Sequence, residues 1–252
     1  MGQVMNVEGC TALVTGANRG LGRTLAGMLV QRGARKVYAG ARDPTAITDS
    51  RLTPVRLDVT SKEDISAAAA ACSDVNVLIN NAGVMLGSPA LADDAEAALR
   101  VEFAVNVIGL LSVTTAFVPI LQSNGGGAIA NVLSVVSWYV YPFNATYCAS
   151  KHAALALTDG LRIQLRDKGT AVTGVYAGFI DTDMAAHVSS PKASPEEVAA
   201  RLLDGIQCGA DHVCADEYSK SIFRTLFAAP ESIDREMQAE WRKSLTAPGN
   251  AP

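Results

Sequence analysis

Cysteine is scarce and unpatterned. Five are scattered along 252 residues, at Cys10, Cys72, Cys148, Cys208 and Cys214. The number is odd and none has ligand-like spacing, so neither a disulfide framework nor a structural metal centre organises this chain. Free thiols in a reducing cytoplasm are expected. His152, His187 and His212 are isolated from one another and from the cysteines, and no metal is expected. Charge is also sparse: 18% of residues are charged, the net charge is −4, and no basic block occurs. A nucleic-acid partner needs a positive face, so none is expected. No apolar run is read as reaching the roughly 18 residues that span a bilayer. Met1–Cys10 lacks the apolar stretch of a secretion signal, and Asn6 stands where a myristoylation motif has Ser or Thr. No membrane partner and a cytoplasmic location follow as expectations.

What the chain has is apolar residues, 49% of the total, enough for one large core. One α/β domain over residues 1–252 is expected, with an unstructured tail at about 246–252. Strand-like runs fall at 11–15, 36–40, 54–58, 75–80, 128–133 and 171–177, with a weak one near 212–215. Helical patterns fall at 20–32, 62–71, 93–121, 147–167 and 195–207. Alternation of this kind predicts a doubly wound, mostly seven-stranded parallel sheet of Rossmann type, with helices on both faces. Residues 41–53 hold Pro44 and little periodicity, so the crossover there is short or lacks a helix. Ser61 with Asp64, and Ser194-Pro195-Glu196-Glu197, read as helix starts.

The first strand, Thr11–Thr15, runs into Gly16-Ala17-Asn18-Arg19-Gly20-Leu21-Gly22 and then a helical pattern. Strand, glycine turn and helix is the context in which backbone approaches a pyrophosphate at a helix N-terminus. Further on, Tyr147 and Lys151 lie four residues apart, on one face of a helix, with Ser134 upstream. A phenol ionises near pH 10, and a neighbouring ammonium favours the phenolate. A serine hydroxyl can hold a carbonyl oxygen. A lone Tyr-x-x-x-Lys is common and carries little weight; its company carries the reading.

Together these motifs resemble the short-chain dehydrogenase/reductase family, in its single-domain branch of about 250 residues. Thr15–Gly22 is similar to the family's Thr-Gly-x-x-x-Gly-x-Gly, and Asn80-Asn81-Ala82-Gly83 to its Asn-Asn-Ala-Gly. Asp58-Val59 is similar to its adenine-contacting pair. Asn106, Ser134, Tyr147 and Lys151 fall at its catalytic positions. The resemblance covers about residues 8–215. It implies dinucleotide contacts from Gly16, Asn18, Arg19, Gly20, Leu21, Gly22, Asp58, Val59, Asn81, Ala82, Gly83, Tyr147, Lys151, Gly178, Ile180 and Thr182. One departure is Ala177-Gly178, where the family usually has Pro-Gly.

For the cofactor, Ala41 stands where an NAD-preferring member has an acid, and Arg42 follows it. Arg42 and Arg19 could grip a 2′-phosphate, which favours NADP(H). Asp43 is the counter-evidence, since a shift of one or two positions would make it an NAD-type acid. The implied chemistry is reversible reduction of a ketone. Ser134 holds the oxygen, Tyr147 gives the proton, Lys151 lowers the phenol's pKa and holds the ribose, and Asn106 supports a water-linked proton path. Cys148 is expected in helix packing.

The pocket lining is expected from 137–143 and 178–187, with Trp138, Tyr141, Phe143 and Phe179 forming an open, apolar wall for an aromatic or apolar carbonyl or alcohol substrate. The bland alternative is that half of these aromatics are core or subunit contacts. The extra apolar positions of 93–121 and 147–167 predict a homodimer or homotetramer. Two other readings stand beside this one: an NAD-linked alcohol or hydroxysteroid dehydrogenase, and a non-catalytic NADP-binding regulator.

Overall fold

A computed structural model describes residues 5–186 and 188–246. Seven strands form one parallel sheet: β1 (Thr11–Thr15), β2 (Lys36–Ala41), β3 (Thr53–Arg56), β4 (Val77–Asn80), β5 (Gly127–Val132), β6 (Thr170–Tyr176) and β7 (His212–Cys214). Their order is β3-β2-β1-β4-β5-β6-β7, so the winding reverses between β1 and β4. The helices are α1 (Gly20–Gln31), α2 (Lys62–Ala71), α3 (Ala95–Phe103), α4 (Leu110–Ser123), α5 (Ala145–Leu165), α6 (Pro195–Cys208), α7 (Glu217–Ala228) and α8 (Pro230–Thr246). The doubly wound Rossmann-type sheet expected from the alternation is present.

Two cores sandwich the sheet, and strand alternation feeds both. Ala12 and Val14 of β1 face α1 and α6, meeting Leu25, Leu29, Leu202 and Ile206. Leu13 between them faces the other way, with Ile65, Val113, Phe117 and Leu165. Ser61 accepts from the Asp64 N–H, and Ser194 from the Glu197 N–H, as their spacing predicts. Residues 41–53 contain only a single turn at Pro44–Ala46.

Three expectations need correction. The long helix read over 93–121 is not continuous α-helix: Ala104–Gly109 form a π-helical turn between α3 and α4. Gly109 abuts Val59 there; a Cβ would lie 2.8 Å from its Cγ2. Secondly, Ala95–Ser123 as a whole is long and apolar enough to cross a membrane. Its length matches the helix read over 93–121, but polar residues such as Asn106 and Thr114 within it break a continuous apolar run; Glu102 lies just before that run. All three are buried, and Val113, Phe117 and Leu121 join the sheet's core. Thirdly, α7 and α8 lie where no helix is predicted. Thr246 ends α8, and the rest of the expected tail, 247–252, lies outside the described residues.

Candidate active site

Parallel strands all end at the same edge of a sheet. The segments after β1, β2, β3, β4, β5 and β6 therefore converge, around the point where strand order reverses. That edge collects the glycine turn, Arg42, Asp58, Asn81–Gly83, Ser134 and Gly178–Thr182.

The glycine turn is shaped for close approach. A Cβ on Gly22 would sit 2.2 Å from the Gly16 carbonyl oxygen, so no larger residue closes this turn. Ala17 N–H donates to the Gly40 carbonyl at 2.9 Å, fixing the turn against β2. Thr15 Oγ1 accepts from the N–H groups of Asn81 and Ala82, at 3.0 and 2.9 Å. The Asn81 side-chain amide donates to the Thr15 and Gly16 carbonyls, so this side chain braces the turn from behind. Arg19 precedes α1 and its guanidinium reaches Asp183 across the cleft at 3.4 Å, both groups being largely exposed. Leu21 is buried in the first turn of α1, while Asn18 is half-buried in the loop.

Ala41 is buried at the end of β2 and Arg42 is exposed beyond it. Arg42 and the Thr60 hydroxyl both favour the ionised form of Asp58; Thr60, through its side chain and backbone, is the larger influence. Asp43 points elsewhere: its carboxylate accepts from the Thr45 N–H at 3.0 Å and the Thr45 hydroxyl at 2.6 Å, capping the turn after it.

Ser134 follows β5 and its hydroxyl donates to the Ala177 carbonyl at 3.4 Å, while Val135 N–H donates to the same oxygen at 3.0 Å. These contacts fix the backbone at the residue where a proline was expected. Tyr147 and Lys151 occupy the first turns of α5. The Lys151 ammonium donates to the Val132 carbonyl at 3.0 Å and lies 5.6 Å from the centre of the Tyr147 ring. Burial drives Lys151 down from 10.5 to about 8. Burial also raises the Tyr147 phenol above its ordinary value, with smaller upward pushes from Cys148 and Glu102, and a hydrogen bond with Ser134 pulling it down. The lowered phenol expected beside Lys151 is corrected here: desolvation holds it above its ordinary value. Asn106 sits in the π turn, donates to the Ser150 hydroxyl and the Val84 carbonyl, and accepts from the Val84 N–H. Cys148 packs inward as expected: it accepts from the Tyr141 N–H, and burial pushes its thiol up to about 11.

Helices α7 and α8 pack beside the segment expected to line the pocket. Ile222, Ile233 and Met237 pack on Val135 and Tyr139, with Tyr141 and Trp138 at the margin. Trp138 stacks on Tyr176, ring centres 3.9 Å apart, and also meets Phe223; it belongs to packing as much as to a wall. Tyr141, Phe143 and Trp241 form a chain of aromatic contacts at 5.2 Å each. Phe179 is half-buried, and its carbonyl accepts from Ala193 N–H. Ile180 bridges Ala193. Thr182 starts the turn Asp183–Ala185; His187 lies outside the described residues.

Two site residues escape the sequence reading. Asp216 accepts from the Gly178 N–H at 2.7 Å and caps α7 through Ser219; its Asp-x-x-Ser spacing was the available signal. Glu102 is buried beside the 84–88 segment; only an acid inside an apolar run marked it. A separate depression of about 420 Å³ is lined by Asp159, Arg162, Ile163, Arg166, Asp167 and His212. It lies at the far end of α5, roughly 22 Å along the axis from Tyr147. Both of its arginines are paired, Arg162 with Asp159 and Arg166 with Asp211.

Known proteins share this fold. A short-chain dehydrogenase from Burkholderia cenocepacia, solved in complex with NADP, is 42% identical, with TM-score 0.89; the match covers 92% of this chain and 99% of that one. Mouse estradiol 17-beta-dehydrogenase 11 is 32% identical over 220 residues, 80% of this chain and 73% of that protein. A 3-ketoacyl-(acyl-carrier-protein) reductase from Brucella melitensis, complexed with NADH, shares the fold at 24% identity and TM-score 0.74, over 81% of this chain and 93% of that one. The family profile described as short chain dehydrogenase matches residues 10–193, and the chain belongs to that oxidoreductase family.

Proposed function

We propose that the chain is an NADP(H)-dependent carbonyl reductase that converts a ketone to a secondary alcohol, reversibly. The observation that carries this is the convergence of Ser134, Tyr147 and buried Lys151 beside a glycine turn too tight for any side chain at Gly22. When bound, the nicotinamide supplies or accepts the hydride. Gly16–Gly22 would cradle the dinucleotide's pyrophosphate, and Asp58, Val59, Ala82 and Gly83 would help hold the rest of the dinucleotide. The Ser134 hydroxyl holds the substrate oxygen, and the Tyr147 phenol gives it a proton. A phenol kept protonated by burial suits the acid role of reduction. Lys151 supplies the ammonium for the cofactor ribose.

Preference for NADP is supported by buried Ala41 in the acid position, by exposed Arg42, and by Asp43 being committed to Thr45. The NADP complex of the Burkholderia relative points the same way. The aromatic residues Tyr141, Phe143 and Trp241 support an apolar or aromatic substrate. Val101, Ile108, Leu111 and Ile163 are exposed on the stretch 101–111 and on α5; a second copy of the chain covers them in this reading, as dimer or tetramer. Five free thiols support a cytoplasmic location.

The test is turnover over aryl ketones, keto esters, diketones and steroids with each cofactor. The ratio of kcat/KM for NADPH over NADH should favour NADPH. It should swing toward NADH in an Ala41→Asp, Arg42→Ala double variant, because one charge-assisted contact is worth roughly 1.5–3 kcal/mol, about tenfold or more. A wild-type ratio favouring NADH would support the NAD-linked dehydrogenase instead. Cofactor binding without turnover of any carbonyl or alcohol would support the regulator.

A further inference from the structure

We propose that Glu102 is a positioning residue of the oxidoreductase centre, tying the Val84–Ser88 segment to the first turn of the helix that carries Tyr147. The proposal rests on the functional reading above. Glu102 is the penultimate residue of α3 and is fully buried. Its Oε1 accepts from two successive backbone donors, Leu86 N–H at 2.9 Å and Gly87 N–H at 3.0 Å. Four residues on, Asn106 holds both polar groups of Val84. At the other end of the segment, Ser88 N–H donates to Thr146 Oγ1 at 3.1 Å, and Thr146 N–H returns a bond to the Ser88 carbonyl. Thr146 is next to Tyr147.

The segment has no slack. Gly87 has φ +66°, and a Cβ there would meet Asn144 Oδ1 at 2.6 Å. Gly83, just before it, lies beside Asn106 and Lys151; a Cβ on it would be 3.9 Å from the Lys151 ammonium. Glu102 therefore sets how closely the wall at Met85–Leu86 approaches the Tyr147 turn. Leu86 is exposed at this wall, free to meet a substrate.

A neutral amide could accept the same two bonds. What marks the carboxylate is its second oxygen: Oε2 is buried and has no hydrogen-bond partner among the described residues. A buried carboxylate oxygen left without a partner costs stability. Its electrostatic influence reaches the Tyr147 phenol, which burial, then Cys148, then Glu102 push upward. Ser134 after β5 pulls the other way, and the Lys151 ammonium lies 5.6 Å from the ring centre. Glu102 thus adds to burial in keeping the phenol a proton donor.

Two variants of the full chain separate the roles. Glu102→Ala removes the anchor. Amide hydrogen exchange at Leu86 and Gly87 should accelerate, and KM for the ketone should rise about tenfold or more, with the NADPH Kd unchanged. Glu102→Gln keeps an acceptor and removes the charge. Its 84–88 amides should stay protected, while the alkaline limb of kcat/KM for ketone reduction moves to lower pH, because the phenol ionises more readily. Wild-type exchange at Leu86 and Gly87 in Glu102→Ala overturns the anchor. An unmoved alkaline limb in Glu102→Gln overturns the electrostatic part. Exchange needs no turnover, so a wild-type protein that reduces no carbonyl would count against the functional reading while the anchor is still decided.

Discussion

Lys151→Met should cost the protein its chemistry and make it more stable, and the gain should depend on pH in a defined direction. Only 6% of Lys151 is exposed, and burial drives its pKa from 10.5 to about 8. At about 1.4 kcal/mol per pKa unit, holding the ammonium in the folded state costs about 3 kcal/mol below pH 8. Between pH 8 and 10.5 the unfolded chain binds more protons at this lysine than the folded chain does. Wild-type stability therefore rises with pH across that window. Methionine fills similar volume and carries no such cost, although it leaves the Val132 carbonyl without the lysine's bond. The advantage of Lys151→Met over wild type should be greatest near pH 7 and shrink by about 2–3 kcal/mol by about pH 10. Urea denaturation without cofactor, on both proteins at both pH values, measures this. The subtraction removes groups that titrate alike in the two. With saturating NADPH the order should reverse, since a ligand that binds only the folded state stabilises it. A difference between the proteins that stays flat with pH would show that Lys151 is not held charged at a cost.

Ser134→Ala should lower kcat by about 10²–10³ as a lost oxyanion donor, read by steady-state turnover with NADPH saturating; wild-type kcat would remove Ser134 from the chemistry. Asp216→Ala should cost about 1–2 kcal/mol of stability through the lost cap of α7 and raise KM for cofactor by freeing Gly178. Denaturation and kinetics both wild-type would contradict the Gly178 contact. Light scattering at micromolar concentration should find a dimer or tetramer, and a species of 26.3 kDa alone would contradict burial of Ile108, Leu111 and Ile163 in self-association.

Local motifs were legible before any coordinates. Thr15–Gly22 reads as strand, turn and helix because each residue's role depends on near neighbours, and Tyr147 and Lys151 are placed by one helical period. The parallel sheet then brings distant motifs to one edge, which alternation alone implies. What stayed illegible depends on distance or burial. Asp216 serves Gly178, and Glu102 serves Leu86 and Gly87, from other elements. No sequence spacing announces such pairs. Spacing also puts an ammonium near Tyr147 but cannot weigh it against desolvation, which dominates the phenol in the structure. The aromatic run at 138–143 reads as an open wall; the packing of Ile222, Ile233 and Met237 of α7 and α8 against Val135 and Tyr139, beyond the matched motifs, is not legible there.

In the proposed reaction the Tyr147 phenol donates its proton to the carbonyl oxygen. Tyr147→Phe keeps the ring and removes only the hydroxyl. Nicotinamide absorbance during ketone reduction, beside NADPH binding by fluorescence, measures both consequences on one preparation. Turnover should fall by at least about 10²–10⁴ with NADPH affinity nearly unchanged; turnover within a few-fold of wild type would contradict the account.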